Sequence, residues 1–335
     1  MRALVLGAGG QVGTDLVRFL LGSGHAVAMA DLRPAAASAA GPAMAALLDR
    51  YGAGDHWHTA DATDATVVAR LVDRYEADTI FHLPALLSAT GERDPERCWA
   101  VNMESLRGVL DLCRARSSRS IKVIFPSSIA AFGPLPGVPG GYPDGVASNE
   151  IGLLPSTLYG VTKVAGELLG AWYAHRGWAD FRSVRFPGLL SAAPPGGGST
   201  DFANEMLFAA ARGETSIQTF VRADTRVPFM HMDDAVRALV ELAQAPAAGL
   251  TRRAFNIAAI SPSAEELAAA LARRVPGFTV RWSAGGDPRQ GFLDSWPRVL
   301  DDAPAREEWG WHHQFDLDRL IDDLLGAIRS ADAHR

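Results

Sequence analysis

Ala3-Leu4-Val5-Leu6-Gly7-Ala8-Gly9-Gly10-Gln11-Val12-Gly13 is the stretch on which the reading of this chain turns. Ala3 to Leu6 is a short apolar run of the kind that forms a strand buried on both faces. Gln11 to Leu21 carries apolar residues at helical spacing, so the glycines fall in a strand-to-helix turn. Gly7 suits the tight turn, Gly10 lets the backbone approach a pyrophosphate, and Gly13 lets helix and strand pack closely. The anion then rests on the free amides that open the helix at Gln11 and Val12. A glycine cluster alone is a weak sign, but here a second strand, Ala26 to Ala30, leads into Asp31. Asp31 stands 18 residues beyond Gly13, near the spacing of an acidic ribose ligand. The pattern predicts a bound dinucleotide, with NAD favoured over NADP by the Asp31 carboxylate. Asp61 follows the third strand at the same edge, where it either accepts from the adenine or caps the next helix.

The alternation continues outward from there. Strands are predicted at His56–Thr59, Thr79–His82, Ile121–Phe125 and Phe181–Arg185, and helices at Ala65–Arg74, Pro95–Arg114 and Thr157–Arg176. Strands alternating with helices imply right-handed βαβ units, hence an α/β fold with a Rossmann-like doubly wound parallel sheet. After Pro187 the pattern changes. Gly188 to Thr200 reads as a loop, Asp201–Arg212 and Asp233–Gln244 as helices, and Ala254–Ile257 as a last core strand. From Ser261 the chain is more helical, with several Trp. Two domains are expected: dinucleotide-binding residues 1–186 plus 226–258, and a smaller, mainly helical substrate lobe of residues 187–225 plus 259–335. Leu135 to Asp144, with three Pro and three Gly, reads as a surface loop that could act as a lid.

Bulk properties narrow the class. The 335 residues, 48% hydrophobic, are enough for one large or two modest domains. With 32 basic and 38 acidic residues the net charge of −6 argues against a nucleic-acid binder. No run of 18 apolar residues is present, so no membrane span is expected. The N-terminus reads as a strand rather than a signal peptide, which points to the cytoplasm. Cys98 and Cys113, 15 residues apart in one predicted helix, are too distant to bridge and read as ordinary thiols. The nine His suggest no metal site: His56 and His58 share a strand face, but no carboxylate or Cys completes a ligand set.

The chemistry lies further along. Ser127 and Ser128 follow the strand Ile121–Phe125 at its C-terminal end, where ligands of open α/β sheets bind. A hydroxyl there can hold and polarise a substrate oxygen. In Tyr159-Gly-Val-Thr-Lys163 the Tyr and Lys are four residues apart, on one face of a helix. An ammonium beside a phenol favours the phenolate, which makes Tyr159 a candidate general base. Pro195-Gly-Gly-Gly-Ser-Thr-Asp201 leads directly into a helix, whose free amides attract an anion such as a substrate carboxylate. Thr200 would add a hydroxyl; alternatively, Ser199 or Thr200 simply caps that helix.

Together, the glycine motif, Ser128 and Tyr159-x3-Lys163 resemble the extended short-chain dehydrogenase/reductase superfamily. The resemblance is closer still to its NAD-dependent L-threonine 3-dehydrogenase branch, through Gly7–Asp15, His82–Thr90, Pro126–Gly133, Pro155–Glu167, Arg185–Leu190, Pro195–Asp201, Asp294–Pro297 and Trp309–Trp311. These phrases cover nearly the whole chain in order. The resemblance implies a metal-independent oxidoreductase of threonine catabolism. It would transfer a hydride from the β-carbon of L-threonine to NAD and yield 2-amino-3-oxobutyrate and NADH. It implies that Ser128 holds the substrate hydroxyl, that Tyr159 takes its proton, and that Lys163 lowers the Tyr pKa and holds the nicotinamide ribose. Gly7, Gly10 and Gly13 would cradle the pyrophosphate, Asp31 the adenosine ribose, and Leu83 with Pro187, Gly188 and Leu189 would line the site. Ser88, Ser127, Ser199, Thr200 and Trp296 would lie near the substrate. A homodimer through the helices Pro95–Arg114 and Thr157–Arg176 is implied as well. The chain departs from the family pattern at Pro84, at His231 and in a longer stretch from Pro134 to Leu154; His231 and that loop would border the substrate. The alternatives are a dehydrogenase of another β-hydroxy-α-amino acid, a sugar-nucleotide epimerase and a non-catalytic NAD-binding regulator. A dehydratase is disfavoured, because Ile129-Ala130 stands where an Asp-Glu pair would follow the site hydroxyl.

Overall fold

A computed structural model of the chain describes residues 1–39, 41–135, 137, 141–196 and 198–333. It divides into two compact units. The first comprises Met1–Ser128, Thr157–Arg185 and Val236–Phe255, the second Ile129–Ser156, Phe186–Ala235 and Asn256–Arg335. These bounds differ from the expected ones chiefly in assigning residues 129–156 to the second unit.

Elements are numbered along the chain. The first unit is built on β1 (Arg2–Leu6), α1 (Gln11–Gly22), β2 (Ala26–Asp31), α2 (Gly41–Tyr51), β3 (Trp57–Thr59), α3 (Ala65–Arg74) and β4 (Thr79–His82). Then follow α4 (Ser88–Arg93), α5 (Pro95–Trp99), α6 (Ser105–Ala115), β5 (Lys122–Ser128), α7 (Leu158–His175) and β7 (Asp180–Phe186), with the part of α9 (Met232–Gln244) from Val236 on and β11 (Ala254–Asn256) closing the set. The strands form one seven-stranded sheet in the order β11-β7-β5-β4-β1-β2-β3. All pairings among β1 to β5 are parallel, with Leu4 opposite Ala28 on one side and Ile80 on the other. Leu4, Val5 and Leu6 are wholly buried, as a strand covered on both faces requires. The α1 helix buries Gly13, Leu16, Val17 and Leu20, one stripe at helical spacing. The chain runs outward through β1, β2 and β3, then returns to place β4 on the other side of β1. That reversal is the topological switch point, beyond whose strand ends ligands of this architecture bind.

Three local features depart from the expected elements. The helix predicted over Pro95–Arg114 is interrupted by a π-helical segment, Ala100–Glu104, between α5 and α6. Inside it Asn102 is buried and serves the backbone of the β4–α4 loop: Oδ1 accepts from the Leu86 amide (2.8 Å), and Nδ2 donates to the Leu86 carbonyl (3.1 Å). A π-bulge turns such a side chain out of the regular helical register. The fifth strand also runs past Phe125 to Ser128, so Ser127 and Ser128 belong to the strand itself. The α2 helix was not expected; it begins at Gly41-Pro42, with Pro in the first turn, where its missing N–H costs nothing.

The second unit contains three short parallel strand pairs: β6 (Val146–Ala147) with β13 (Val299–Leu300), β8 (Gly188–Leu190) with β10 (Phe229–His231), and β9 (Ser216–Gln218) with β12 (Thr279–Arg281). Its helices are α8 (Asp201–Ala211), α10 (Ala264–Arg274), α11 (Pro288–Asp294), α12 (Ala303–Trp309) and α13 (Leu317–Ala333). A capping box of Ser263 and Glu266 starts α10. Asp234, buried, accepts the backbone amides of Gln314 and Phe315 and so fixes the chain entering α13. Within the proposed lid, residues 136 and 138–140 lie outside the described residues; Tyr142 is buried there and its hydroxyl donates to the Gly133 carbonyl at 2.6 Å. Among the described residues no helix is long and apolar enough to cross a membrane.

Candidate active site

The glycine turn has the geometry its spacing predicts. Gly7 has φ +75°, in the region that favours glycine. A Cβ on Gly13 would stand 2.3 Å from the Gly7 carbonyl oxygen and 2.8 Å from Ala8 backbone atoms, so nothing larger fits between helix and strand. Gly10 precedes α1 as its N-cap; no side chain caps that end and no acidic residue stands in its first turn. The opening amides at Gln11 and Val12 therefore carry the positive end of the helix without a built-in counter-charge. Asp31 Oδ2 accepts from the Gly9 amide (3.0 Å) and Oδ1 from the Arg33 amide (3.2 Å), which holds the carboxylate at the turn. Asp61 Oδ1 accepts from the backbone and hydroxyl of Thr63 (2.9 and 2.8 Å), while Asp64 caps α3; Asp61 is thus no helix cap. Gly7, Gly10, Asp31, Asp61 and Leu83 all line one cavity of about 410 Å³ at the switch point. A helix N-terminus with no side-chain cap, a fixed carboxylate and a turn of glycines without side chains fit the adenosine and diphosphate of a dinucleotide.

In the same unit the catalytic candidates come together. Thr157 caps α7 by accepting from the Gly160 amide (3.1 Å), and Glu92 Oε1 accepts from the Leu158 amide (2.8 Å), so the helix carrying Tyr159 starts at a fixed point. A Cβ on Gly166 would meet the Phe125 ring at 2.7 Å, and one on Gly170 the Phe181 ring at 2.3 Å. These two glycines let α7 lie directly on β5 and β7. Tyr159 is hydrogen-bonded to the Ser128 side chain. Lys163 is buried; Nζ donates to the Pro126 carbonyl (2.7 Å) and lies 5.4 Å from the centre of the Tyr159 ring. Asn102 Nδ2 donates to Thr162 Oγ1 (3.0 Å), which ties the π-segment to the turn between Tyr159 and Lys163.

The electrostatics correct one expectation. Tyr159 is not shifted toward phenolate. Burial pushes it up to about 12, and the Ser128 hydrogen bond pulls it only part of the way back. Lys163 is drawn down to about 8, again mainly by burial, with the Glu167 carboxylate one turn on opposing the shift. Removing both groups from water outweighs their mutual influence. Glu167 is itself buried in an ion pair with Arg185 at 2.7 Å. Of the 32 basic residues only Lys122 and Lys163 are lysines. A guanidinium, with a pKa above ~12, could not be brought to a value that exchanges protons near neutrality.

Other expected site residues fall differently. Ser88 opens α4 and is half-buried. Ser127 is buried, and its hydroxyl has no hydrogen-bond partner among the described residues. Successive strand residues face opposite ways, so Ser127 turns away from the side Ser128 presents; its expected substrate contact is not supported. In the second unit, Gly188 and Thr200 meet: a Cβ on Gly188 would stand 3.0 Å from Thr200 Cγ2 and 2.8 Å from the Phe229 ring. Pro187 is buried, Leu189 half-buried and Ser199 nearly buried. Thr200 makes no capping hydrogen bond, and Asp201 Oδ2 takes the Gly198 amide at 2.8 Å. The chain's own carboxylate thus stands in the first turn of α8, at the helix end expected to seat an anion; Gly197 lies outside the described residues. Trp296 is buried, and its indole N–H has no acceptor among them. His231 does not border an open site either. It is buried, stacked on Phe315 (centroids 3.9 Å apart), with Nε2 3.2 Å from Asp323 and Nδ1 accepting the Asp233 amide.

The sequence reading missed Glu92 and Asn102. For Asn102 a signal was present: a polar residue on an otherwise apolar helical stripe with Cys98 and Leu106, four residues away on each side.

The profile of the NAD dependent epimerase/dehydratase family matches residues 3–258. The mitochondrial L-threonine 3-dehydrogenase of Bos taurus is 36% identical over 331 residues, covering 97% of this chain and 82% of that protein. The L-threonine dehydrogenase structure from Clostridium difficile is 34% identical with a TM-score of 0.87, over 98% of both chains. An uncharacterized epimerase/dehydratase of Staphylococcus aureus strain USA300 is 37% identical, over 99% of this chain and 98% of that one.

Proposed function

The chain belongs to the NAD dependent epimerase/dehydratase family, and from that premise we propose that it oxidises a β-hydroxy-α-amino acid, L-threonine, at the β-carbon with NAD, giving 2-amino-3-oxobutyrate. The observation that carries this reading is the hydrogen-bonded Ser128–Tyr159 pair with Lys163 buried behind it, in the unit that holds the dinucleotide cavity. Fold alone does not decide among the family's reactions; the site does. Ile129 and Ala130, both buried, leave no acid or base directly after Ser128, so elimination lacks its groups. The similarity to threonine dehydrogenases over nearly the full length supports the amino-acid substrate.

In this reading NAD, when bound, supplies the hydride acceptor. Gly7, Gly10 and Gly13, with the amides of Gln11 and Val12, hold its diphosphate, and Asp31 holds the adenosine ribose. Ser128 Oγ holds the carbinol oxygen and Tyr159 Oη receives the carbinol proton, which leaves a carbonyl on the product. At rest the phenol is protonated. It acts as a base only after its proton leaves, and Lys163 Nζ, at about 8, is the adjacent group able to share that proton near neutral pH. Exposed Trp99, Leu168 and Trp172 support a homodimer through the helices around residues 95–115 and 158–175.

The test is NADH formation with a panel of L-threonine, D-threonine, L-serine, L-3-hydroxynorvaline and UDP-sugars. Turnover of L-threonine above the others is expected. Interconversion of UDP-sugars with no net NADH would overturn the proposal in favour of an epimerase.

A further inference from the structure

We propose that Arg97 is a cofactor-positioning residue that binds the diphosphate of the dinucleotide from the helical wall facing the glycine turn. The inference rests on the dinucleotide reading of the cavity. Arg97, Ala100, Val101 and Ser105 line that cavity along one side of the run from α5 into α6, and Gly7 and Gly10 line it from the turn. The two sides meet at the β4–α4 loop, where a Cβ on Gly7 would stand 3.1 Å from Pro84 N. Asn102 fixes this loop from within the same helical run. Arg97 is therefore presented on a wall whose position is set by buried hydrogen bonds, although its own side chain is exposed.

Charge gives the reason for a cation there. Asp31 and Asp61 both line the cavity, and among the described residues neither forms an ion pair: both Asp31 oxygens accept backbone amides, of Gly9 and Arg33, and Asp61 Oδ1 accepts from the Thr63 amide and hydroxyl. A diphosphate would bring about two further negative charges against only about half a positive charge from the α1 terminus. Arg33 and Arg97 are the two arginines that line the cavity, and among the described residues neither guanidinium has a carboxylate partner. In α6 and at its end the arginines are paired: Arg107 with Glu104 and Asp111, Arg114 with Asp111, Arg116 with Asp73. Arg33 stands two residues beyond Asp31, on the ribose side, which leaves the diphosphate to Arg97. A guanidinium offers two parallel donors to phosphate oxygens, a contact stronger than a neutral hydrogen bond.

The experiment titrates ADP, adenosine and NAD onto wild-type protein, Arg97→Ala and Arg97→Lys by isothermal calorimetry, without substrate. Because Arg97 is exposed, matching thermal midpoints should show that all three fold alike. Arg97→Ala is expected to weaken ADP and NAD about tenfold, equivalent to about 1.4 kcal/mol, and to leave adenosine within twofold; Arg97→Lys should fall between. Unchanged ADP affinity in Arg97→Ala overturns the inference, as does an equal loss for adenosine, which would place the contact on the base. If wild-type protein binds neither ADP nor NAD, the dinucleotide reading itself fails and takes this inference with it.

Discussion

Replacing Lys163 with Met should stabilise the protein at neutral pH while abolishing its proposed activity. Lys163 is 5% exposed and titrates at about 8 instead of the usual 10.5, mainly because burial disfavours the ammonium. That displacement, at about 1.4 kcal/mol per pH unit, is a penalty of about 3 kcal/mol on the folded state wherever the group is charged in both states. Met fills similar space without charge. Its cost is the bond from Nζ to the Pro126 carbonyl at 2.7 Å, whose loss leaves an unsatisfied acceptor worth about 1–3 kcal/mol. The variant should therefore be about 1 kcal/mol more stable than wild type at pH 7. The pH dependence is more decisive. Below pH 8 both folded and unfolded wild type hold the proton, and the penalty is complete. Between pH 8 and 10.5 the unfolded chain still holds it and the folded chain has released it, so wild-type stability rises with pH. The variant lacks this contribution. Urea unfolding of both proteins at half-unit steps from pH 6.5 to 10.5 would measure it. The wild-type value should gain about 3 kcal/mol relative to the variant across the window. Parallel curves would refute the argument that burial depresses Lys163.

Tyr159→Phe should lower turnover roughly 10²–10⁴-fold, the range of general-base catalysis, with NAD affinity by calorimetry nearly unchanged; retention of most wild-type turnover would remove Tyr159 from the chemistry. Gly13→Ala should destabilise by about 3 kcal/mol, the upper range for overpacking, because the new methyl overlaps the Gly7 carbonyl; a thermal midpoint within a degree of wild type would contradict that geometry. Glu167→Gln takes the carboxylate from the buried Arg185 and should cost about 3–5 kcal/mol, most of it recovered in Glu167→Gln/Arg185→Met; equal denaturation midpoints for single and double variants would argue against the pair. NAD should be used in preference to NADP, whose extra phosphate carries about −1.5 to −2 charges toward Asp31, and equal kcat/KM for the two would remove that role from Asp31.

Much of the first unit was legible in the sequence because most of its strands are apolar runs separated by periodic helices. Ala65–Arg74 and Thr79–His82 are read to the residue, and Gly7, Gly13 and Asp31 stand as their spacing implies. The π-segment was not legible: one extra residue per turn within Pro95–Arg114 leaves the apolar stripe nearly intact. Strands of two or three residues, such as Val146–Ala147 and Val299–Leu300, carry no period to detect. At the site, the order of the residues pairs Tyr159 with Lys163 but says nothing about depth of burial, and burial decides the direction of both shifts. The run into α8 hides its local bonding for a similar reason: that Asp201 accepts the Gly198 amide shows only once the backbone is traced.

The scarcity of lysine gives this chain a built-in accessibility gauge. Apart from the α-amino group, an amine reagent has only two targets, half-buried Lys122 at the start of β5 and buried Lys163 behind the phenol. Reductive methylation followed by peptide mass mapping would therefore separate two clocks in a single digest. Lys122 records the reagent dose, and Lys163 records how often the tyrosine helix lifts from the sheet. Comparing the two rates with and without a bound nucleotide reads the breathing of the catalytic corner directly, with no engineered probe.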